Sequence, residues 1–442
     1  MTYKETLQFI ENTRSFGSIL GLERICKLLE YLDHPEQKLR FVHITGTNGK
    51  GSTSAYLANI LIAAGYNTGR FNSPFIQRFS EQIHFNREEI SDDDLCSAAT
   101  VVKKAYDRML SDGFGSTTEF ETVFVIALQY FLQKKCDIVI LEVGMGGKGD
   151  ATNVIPFPEV AVFAHIALDH AAFLGNTLED IAREKAGIIK SGCNVVTTEQ
   201  SPEVLAILMD AYLQTSMLPA DPLGNGPDFR ISQPSSIRLL SASIKGQTFS
   251  HPAIPLPLET SLCGRYQLTN AALAIETALS LIRRGWTITG ENVLEGIRNT
   301  RWPGRFELLD TSSVSPKNIS FLIDGAHNPD GIAALAESLQ QYFPDQKLIM
   351  ITGVLADKDY RNMLSRLLPF AQRFHCITVP NPRALPAEEL AQVLQELGAV
   401  AIPHESVSAA IDAALSEAGE NDAILAFGSL YYIGQVRSYL FS

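Results

Sequence analysis

Two kinds of hydrophobic pattern alternate along this 442-residue chain. Short, nearly continuous apolar runs are typical of strands in a parallel sheet that is covered on both faces. Longer stretches, in which apolar residues recur every three or four positions, are typical of helices. In the first 200 residues, the strand-like runs lie at 41–45, 137–143, 159–165 and 194–198. The helix-like stretches lie at 52–64, 92–110, 119–133 and 178–189. This alternation predicts an α/β fold with a parallel sheet and right-handed crossovers.

The pattern starts afresh after a Pro-Gly break at residues 301–307, which suits a linker between domains. Beyond the break, strand-like runs lie at 320–324, 348–353, 374–379 and 423–427. The helix-like stretches there lie at 330–342 and 358–368, and others start at 386, 406 and 430. We therefore predict two domains, as a chain of this length favours. Residues 1–299 form the first, 300–306 the linker and 307–442 a smaller α/β domain.

A glycine-rich run at residues 46–52, GTNGKGS, follows the first strand-like run and leads into a helix-like one. Such a turn lets backbone N–H groups surround phosphate oxygens at a helix N-terminus. Lys50 would add a positive charge at the β- and γ-phosphates, and the Ser52 hydroxyl would reach a magnesium ion. The run departs from the general phosphate-loop pattern, because Ile44 replaces its first glycine and Gly51 separates Lys50 from Ser52. The alternative is a plain glycine turn beside an exposed lysine.

Three candidate metal ligands follow strand-like runs, namely Ser73, Glu142 and His170. Ligands of parallel sheets gather at the carboxyl ends of the strands. A hydroxyl, a carboxylate and an imidazole at one sheet edge beside a phosphate loop predict a Mg²⁺ site. Taken singly, each residue has a structural explanation, as a turn residue, an ion-pair partner or a loop histidine. Lys185 lies in a helix-like segment, where it either extends to solvent or is buried with a lowered pKa.

The second half of the chain supplies further candidates at the ends of strand-like runs. Asp324 and His327 follow one of these runs, and Ser429 follows the last one. Asp324 and Ser429 are either site residues or helix caps. Arg305, in the linker, is either a surface cation or a phosphate clamp that domain closure would deliver.

Composition narrows the classes of partner and location. The formal net charge of −13 argues against general affinity for nucleic acid or anionic membranes. No apolar run is long enough to span a bilayer, and the N-terminal segment lacks the apolar core of a signal peptide. The six cysteines are scattered singly, without metal-ligand spacing, which predicts a reduced, cytoplasmic protein.

Several ordered motifs together resemble the folylpolyglutamate synthase and dihydrofolate synthase branch of the Mur ligase superfamily. In chain order these are 46–52 (GTNGKGS), 73–81 (SPFIQRFSE), 142–147 (EVGMGG), 150–153 (DATN), 185–188 (KAGI), 303–307 (PGRFE), 324–328 (DGAHN), 357–359 (DKD) and 428–431 (GSLY). The resemblance extends over nearly the whole chain. It implies the Mur ligase architecture, a P-loop ATPase-type parallel-sheet domain followed by a smaller, Rossmann-like α/β domain.

The resemblance also implies an ATP-dependent ligase that joins L-glutamate to a reduced folate through an acyl phosphate. Positions that match the family's ATP contacts are Thr47, Asn48, Gly49, Lys50, Gly51, Ser52, Asn270, Arg305 and Asp324. Positions that match its Mg²⁺ sites are Ser52, Ser73, Glu142 and His170. Those that match substrate contacts are Arg24, Phe75, Arg78, Glu119, His327 and Ser429. The catalytic set is Lys50, His170, Lys185 and Arg305, in which Lys185 matches a lysine that is carbamylated to hold a second metal ion.

Other functions on the same scaffold stay open at this point. The nearest is dihydrofolate synthase, which joins glutamate to dihydropteroate, alone or together with polyglutamylation. A peptidoglycan-precursor ligase would need an additional N-terminal domain, for which the loop at residue 46 leaves no room. A nucleotide-dependent switch would hydrolyse ATP whether or not folate or glutamate is present. The family further implies a monomer.

Overall fold

The structure is a computed structural model that describes residues 1–13, 21–169, 171–216, 227–315 and 317–441. An eight-stranded sheet forms the centre of the part up to residue 299, hereafter the N-terminal part. Its strands are β1 (Phe41–Thr45), β2 (Thr68–Phe71), β3 (Ile83–Phe85), β4 (Glu88–Glu89), β5 (Ile138–Glu142), β6 (Val160–Phe163), β7 (Asn194–Thr198) and β8 (Phe229–Ser232). The order is β4-β3-β2-β5-β1-β6-β7-β8. The pairs β2–β3 and β3–β4 are antiparallel, and the other neighbours in this sheet are parallel.

Helices cover both faces of this sheet. They are α1 (Tyr3–Thr13), α2 (Glu23–Glu30), α3 (Lys50–Ala63), α4 (Asp92–Ser111), α5 (Glu119–Gln133), α6 (Ala171–Leu174), α7 (Leu178–Ala186), α8 (Pro202–Ser216), α9 (Arg265–Arg283) and α10 (Gly290–Asn299). Alternate strand residues enter different cores, so Val139 packs with α4 and α5 while Ile138 packs with α3 and α9. Burial of both strand faces explains why β5 and β6 are apolar at nearly every position.

A second sheet lies in the part from residue 307 onward, hereafter the C-terminal part. Its strands are β12 (Glu307–Leu309), β13 (Ser320–Asp324), β14 (Leu348–Thr352), β15 (Ala371–Cys376), β16 (Ala401–Pro403) and β17 (Ala423–Phe427), in the order β12-β13-β17-β14-β15-β16. Only β12 pairs antiparallel. Its helices are α11 (Pro329–Tyr342), α12 (Tyr360–Leu367), α13 (Ala387–Glu396), α14 (Val407–Glu417) and α15 (Leu430–Leu440).

The predicted α/β class with two largely parallel sheets is confirmed. The pattern did not predict a three-stranded antiparallel sheet between the two, formed by β9 (Arg238–Ser243), β10 (Gly246–His251) and β11 (Ile254–Thr260). Most residues of β9 and β11 are exposed or only partly buried, so neither strand carries a continuous apolar run. Helix α7 ends at Ala186, three residues before the predicted end, and Gly187 forms its C-cap. Among the described residues, no helix is long and apolar enough to cross a membrane.

Candidate active site

The glycine-rich loop joins β1 to the N-terminus of α3, as the sequence predicted. Gly49 caps the helix with φ of +94°, a left-handed conformation that glycine adopts without strain. A side chain at this position would also overlap the amide oxygen of Asn270. The other end of the loop is fixed to the chain after β6, because the Thr47 N–H donates to the His165 carbonyl oxygen at 2.7 Å. The loop is therefore anchored beside the N-terminus of α3, where backbone N–H groups can bind an anion.

Lys50 lies folded over its own loop. Its Nζ donates to the carbonyl oxygens of Gly46 at 3.1 Å and Thr47 at 3.2 Å. Lys50 also lines the main cavity together with the loop residues Asn48, Gly49, Gly51 and Ser52. The ammonium group is thus positioned where phosphates bound by the loop would meet it.

Glu142 ends β5 directly beside the loop, because it pairs in register with Ile44 of β1. The carboxylate is buried, and its Oε2 accepts a hydrogen bond from Asn72 Nδ2 at 2.7 Å. Burial raises the pKa of Glu142, while the nearby positive charge of Lys50 opposes that shift. Ser73, which follows Asn72, lines the same cavity wall as Glu142.

This donor set fits Mg²⁺. Ser52, Ser73 and Glu142 offer only oxygen ligands, as a hard divalent cation prefers. Burial raises the pKa of the Glu142 carboxyl despite the nearby charge of Lys50, and a metal ion would add the positive charge that favours the ionised form. Among the described residues no group of three His, Cys, Asp or Glu side chains is arranged to hold a metal. One carboxylate with hydroxyls matches a magnesium ion that takes its remaining ligands from phosphates and water. The fourth predicted ligand, His170, lies outside the described residues.

Lys185 is buried beneath the phosphate loop and does not extend to solvent. Its Nζ donates to the same Gly46 carbonyl oxygen as Lys50, at 2.9 Å. Burial, followed by the positive charge of Lys50, lowers the pKa of Lys185 to about 7. A small cavity of about 20 Å³ adjoins it, lined in part by Thr47, Gly144 and Asp169. The side chain therefore loses its proton much more readily than an ordinary lysine, and it lies beside a small cavity.

The opposite wall of the main cavity comes from the linker and the C-terminal part. Asp324, at the end of β13, is buried and accepts hydrogen bonds from the Phe306 N–H and the Ala326 N–H, both at 2.7 Å. The Tyr266 hydroxyl of α9 donates to it at 3.3 Å, which ties the two parts together. Burial raises the pKa of Asp324, and Arg305 opposes the shift. Arg305 is held by a hydrogen bond from its Nη1 to the Gly304 carbonyl oxygen at 3.1 Å.

His327 and Ser429 lie on the same wall. His327 Nδ1 faces the Gly325 carbonyl oxygen at 2.8 Å, so Nδ1 carries the proton and the lone pair of the neutral ring is on Nε2. Burial lowers the pKa of His327 to about 4. The ring therefore accepts a hydrogen bond near neutral pH but holds a proton poorly. Ser429 is the N-cap of α15 and accepts from the Tyr431 N–H at 3.3 Å.

The structure brings most of the predicted residues to one cavity of about 590 Å³ between the two parts. Those that line it are Thr47, Asn48, Gly49, Lys50, Gly51, Ser52, Ser73, Glu142, Asn270, Arg305, Asp324, His327 and Ser429. Lys185 lines the small adjoining cavity.

The four remaining predicted residues in the described part of the chain do not line this cavity. Arg24 forms an ion pair with Glu121 at 2.9 Å, and Arg78 forms one with Glu89 at 2.9 Å. Phe75 is 41% exposed, and Glu119 opens α5. Their roles in binding substrate stay predictions.

Several side chains form direct contacts between the N-terminal and C-terminal parts, and the sequence did not predict these contacts. Asn48 in the phosphate loop donates through Nδ2 to Asp330 at 2.7 Å. His165 lies 3.3 Å from the same carboxylate. Lys358 forms an ion pair with Asp169 at 2.7 Å, and both side chains are mostly buried. The loop that would hold phosphates is thus linked directly to the C-terminal part. The motif at 357–359 had marked Lys358, but nothing in the sequence indicated that it pairs with Asp169.

Comparisons with known proteins agree with this geometry. The family profile of the Mur ligase middle domain matches residues 44–278, and that of the Mur ligase glutamate ligase domain matches residues 304–430. The chain is 36% identical to folylpolyglutamate synthase of Lacticaseibacillus casei, covering 100% of this chain and 99% of that one. It is 35% identical to dihydrofolate synthase/folylpolyglutamate synthase of Bacillus subtilis, with 99% of each covered.

Among solved structures, an FPGS–AMPPCP–folate complex matches with a TM-score of 0.82 and 34% identity, covering all of both chains. The two domain profiles together span both sheets and the cavity between them. The chain belongs to the folylpolyglutamate synthase and dihydrofolate synthase family of the Mur ligase superfamily.

Proposed function

We propose that this protein is an ATP-dependent acid–amino-acid ligase that adds L-glutamate to the γ-carboxylate of reduced folates. The observation that carries the proposal is a single cavity with a phosphate loop on one wall and Arg305, Asp324, His327 and Ser429 on the other. A similar solved chain is in complex with AMPPCP and folate. The curated relatives at 35–36% identity are folylpolyglutamate synthases, one of them also a dihydrofolate synthase.

ATP fits the cavity with its phosphates on the loop of residues 46–52 and its nucleoside towards Asn270 and Asp324. A carboxylate is a poor acyl donor, so its oxygen must first become a good leaving group. Attack of the folate carboxylate on the γ-phosphorus gives an acyl phosphate and ADP. Lys50 and Arg305 lie on facing walls, where they would neutralise charge on the transferred phosphoryl group.

Ser52, Ser73 and Glu142 would hold a magnesium ion, with His170 as a further predicted ligand. When bound, the ion would neutralise phosphate charge and orient the γ-phosphate. Glu142 is pre-positioned for this role by its hydrogen bond from Asn72.

Incoming L-glutamate would occupy the wall that carries His327 and Ser429. The neutral His327 ring can accept a hydrogen bond from the glutamate amine through Nε2. The amine, once its ammonium form has lost a proton to solvent, attacks the acyl carbon. The nitrogen loses a second proton as the amide bond forms, and inorganic phosphate leaves with one oxygen of the original carboxylate. The folate itself would extend from the cavity towards Arg24, Phe75, Arg78 and Glu119.

The second candidate is dihydrofolate synthase, because a relative at 35% identity carries both activities in its name.

Phosphate release from ATP should be measured at mildly alkaline pH with Mg²⁺ and L-glutamate, and the product mass confirmed. We expect turnover with tetrahydrofolate and the addition of one glutamate per step. Turnover with dihydropteroate would add the synthase activity. ATP hydrolysis that is indifferent to both acceptors, with no ligated product, would exclude the ligase and favour a nucleotide-dependent switch.

We further propose that Lys185 is carbamylated and contributes to a second metal site. Its neutral Nζ would attack CO₂ and release one proton, which leaves a carbamate. Because the pKa of Lys185 is about 7, the neutral fraction rises as pH increases through 7.

The expected result is a protein-bound ¹³C carbamate signal with ¹³CO₂ that is stronger at pH 8 than at pH 6, with activity about tenfold lower after CO₂ removal. Lys185→Met should abolish the signal, and Lys347→Met, at an exposed position, should keep it. A protein that is active without CO₂ and shows no signal would contradict the assignment.

We propose that the domain boundaries follow the sequence, with residues 1–299 and 307–442 as the two domains and 300–306 as the linker. We also propose that the enzyme is monomeric and cytoplasmic and that it binds neither nucleic acid nor membranes. Size-exclusion chromatography with light scattering tests the monomer, since a stable dimer would elute at twice the mass of the chain.

A further inference from the structure

We propose that Gly434 of α15 is a positioning residue, through which the C-terminal part holds the Ser73 loop against the active site. The Ser73 loop comprises residues 73–81, which follow β2 in the N-terminal part. This inference rests on the proposed function, because it assigns the loop's position a consequence for catalysis. It concerns an interaction between parts of the chain that no sequence motif indicated.

The Ser73 loop is a compact unit closed at its base. The Asn72 N–H donates to the Gln82 carbonyl oxygen at 2.9 Å, which joins the two ends. Inside the loop, the Glu81 carboxylate accepts from the backbone N–H groups of Ile76 at 2.7 Å and Gln77 at 3.1 Å. Such internal bonding makes the loop move as one body, because shifting one residue would break hydrogen bonds at the others.

Helix α15 contacts the tip of this loop through backbone, without an intervening side chain. A Cβ on Gly434 would overlap the Ile76 carbonyl oxygen and lie 2.8 Å from the carbonyl carbon. The Ile76 side chain packs against a hydrophobic cluster of the C-terminal part, which includes Tyr432 and Ile433. It also lies against the linker, since a Cβ on Gly304 would come within 2.9 Å of Ile76 Cδ1. Glycine is therefore required at 434 for the two parts to approach this closely.

Polar contacts beside Gly434 fix the same arrangement. Gln77 Nε2 donates to Ser438 Oγ at 3.1 Å, and Arg437 Nε donates to Gln77 Oε1 at 3.0 Å. Arg437 is also paired with Glu307, the first residue of β12. The loop tip is thus bound to α15 and, through Arg437, to the first strand of the C-terminal sheet.

The functional consequence follows from the position of Ser73. Ser73 begins the loop and lines the main cavity next to Glu142, three residues from the contact with Gly434. A displaced tip would move Ser73 away from the loop of residues 46–52. The C-terminal part therefore sets the position of a residue that belongs to the opposite wall.

Gly434→Ala tests this with the smallest added group. Alanine is favoured over glycine inside a helix, so the substitution does not weaken α15 itself. The matched control is Gly290→Ala in the first turn of α10, where an added Cβ meets nothing within 4 Å. For Gly434→Ala we expect the backbone amides of residues 74–82 to exchange with deuterium about tenfold faster. We also expect kcat to fall about 10²-fold and the Mg²⁺ concentration for half-maximal rate to rise about tenfold. The control should change none of these.

Gln77→Ala provides a second variant that adds no bulk and should shift the same quantities in the same direction by a smaller factor. Deuterium exchange needs no substrate, so it tests the loop contact even if the parent protein proves not to be a ligase. Unchanged exchange in Gly434→Ala would overturn the inference. Faster exchange with a parental Mg²⁺ dependence in an active enzyme would also overturn it, since the contact would then not position Ser73. A parent without acceptor-dependent turnover would instead refute the proposed function.

Discussion

Lys50→Met is expected to lower kcat/KM for the ligase reaction about 10³-fold. Lys50 is the cation of the phosphate loop, and its Nζ is held by the Gly46 and Thr47 carbonyl oxygens on the cavity side. Methionine keeps most of the side-chain volume but removes the charge that would balance the transferred phosphoryl group. The measurement is the initial rate of phosphate release as ATP is varied at saturating folate and glutamate, which gives kcat/KM for ATP.

Lys347→Met is the matched control for this experiment. Lys347 is exposed on the surface and carries the same side chain, so its loss should leave the rate within about twofold of the parent. A Lys50→Met enzyme with nearly parental kcat/KM would mean that the loop does not bind the reacting phosphates.

Glu142→Gln is expected to separate stability from activity. Glutamine has nearly the same shape but carries no charge, so the variant should lose turnover about 10²-fold to 10³-fold because its affinity for magnesium falls. Its free energy of unfolding at neutral pH, measured without metal or nucleotide, should equal or exceed that of the parent. The reason is that the parent buries a carboxylate whose ionised form is disfavoured there.

The pH dependence of this stability difference has a definite sign. Burial raises the pKa of Glu142 above its ordinary value of 4.5. A carboxyl group with a raised folded-state pKa costs nothing below its unfolded-state pKa. The cost grows as pH rises above that value and is complete once pH exceeds the folded-state pKa. The advantage of Glu142→Gln should therefore vanish below about pH 4.5 and be present at pH 7. Glu405→Gln, at an exposed position, should change neither property. A variant that is less stable than the parent at pH 7 without metal would contradict this account.

The central strands and the site edge were predictable from sequence for a physical reason. Strand β17 lies at the predicted residues because burial on both faces requires apolar side chains, and all five of its residues are apolar and buried. Since parallel strands end at one edge, Ser52, Ser73 and Glu142 converge there although they are far apart in sequence. The prediction that Glu142 lies beside the phosphate loop therefore followed from its place at the end of a strand.

Contacts between the two parts could not be predicted in the same way. Asn48 and Asp330 are 282 residues apart, and their hydrogen bond depends on how two separately folded sheets are oriented. The close approach of Gly434 to Ile76 depends on the same orientation, and a glycine inside a helix gives no direction to its partner. The ion pair between Arg24 and Glu121 could not be predicted either, because no local sequence pattern links Arg24 to the first turn of α5. The role of Arg24 in binding substrate stays a prediction.

The most direct test of the central claim follows oxygen from the acceptor carboxylate into phosphate. The protein should be supplied with ATP, Mg²⁺, L-glutamate and a reduced folate whose side-chain carboxylates carry ¹⁸O, and the released phosphate analysed by mass spectrometry. An acyl phosphate requires that one carboxylate oxygen leaves with each phosphate, so we expect one ¹⁸O per phosphate released together with glutamylated folate. Glutamylated product accompanied by unlabelled phosphate would contradict carboxylate activation by phosphoryl transfer in this cavity.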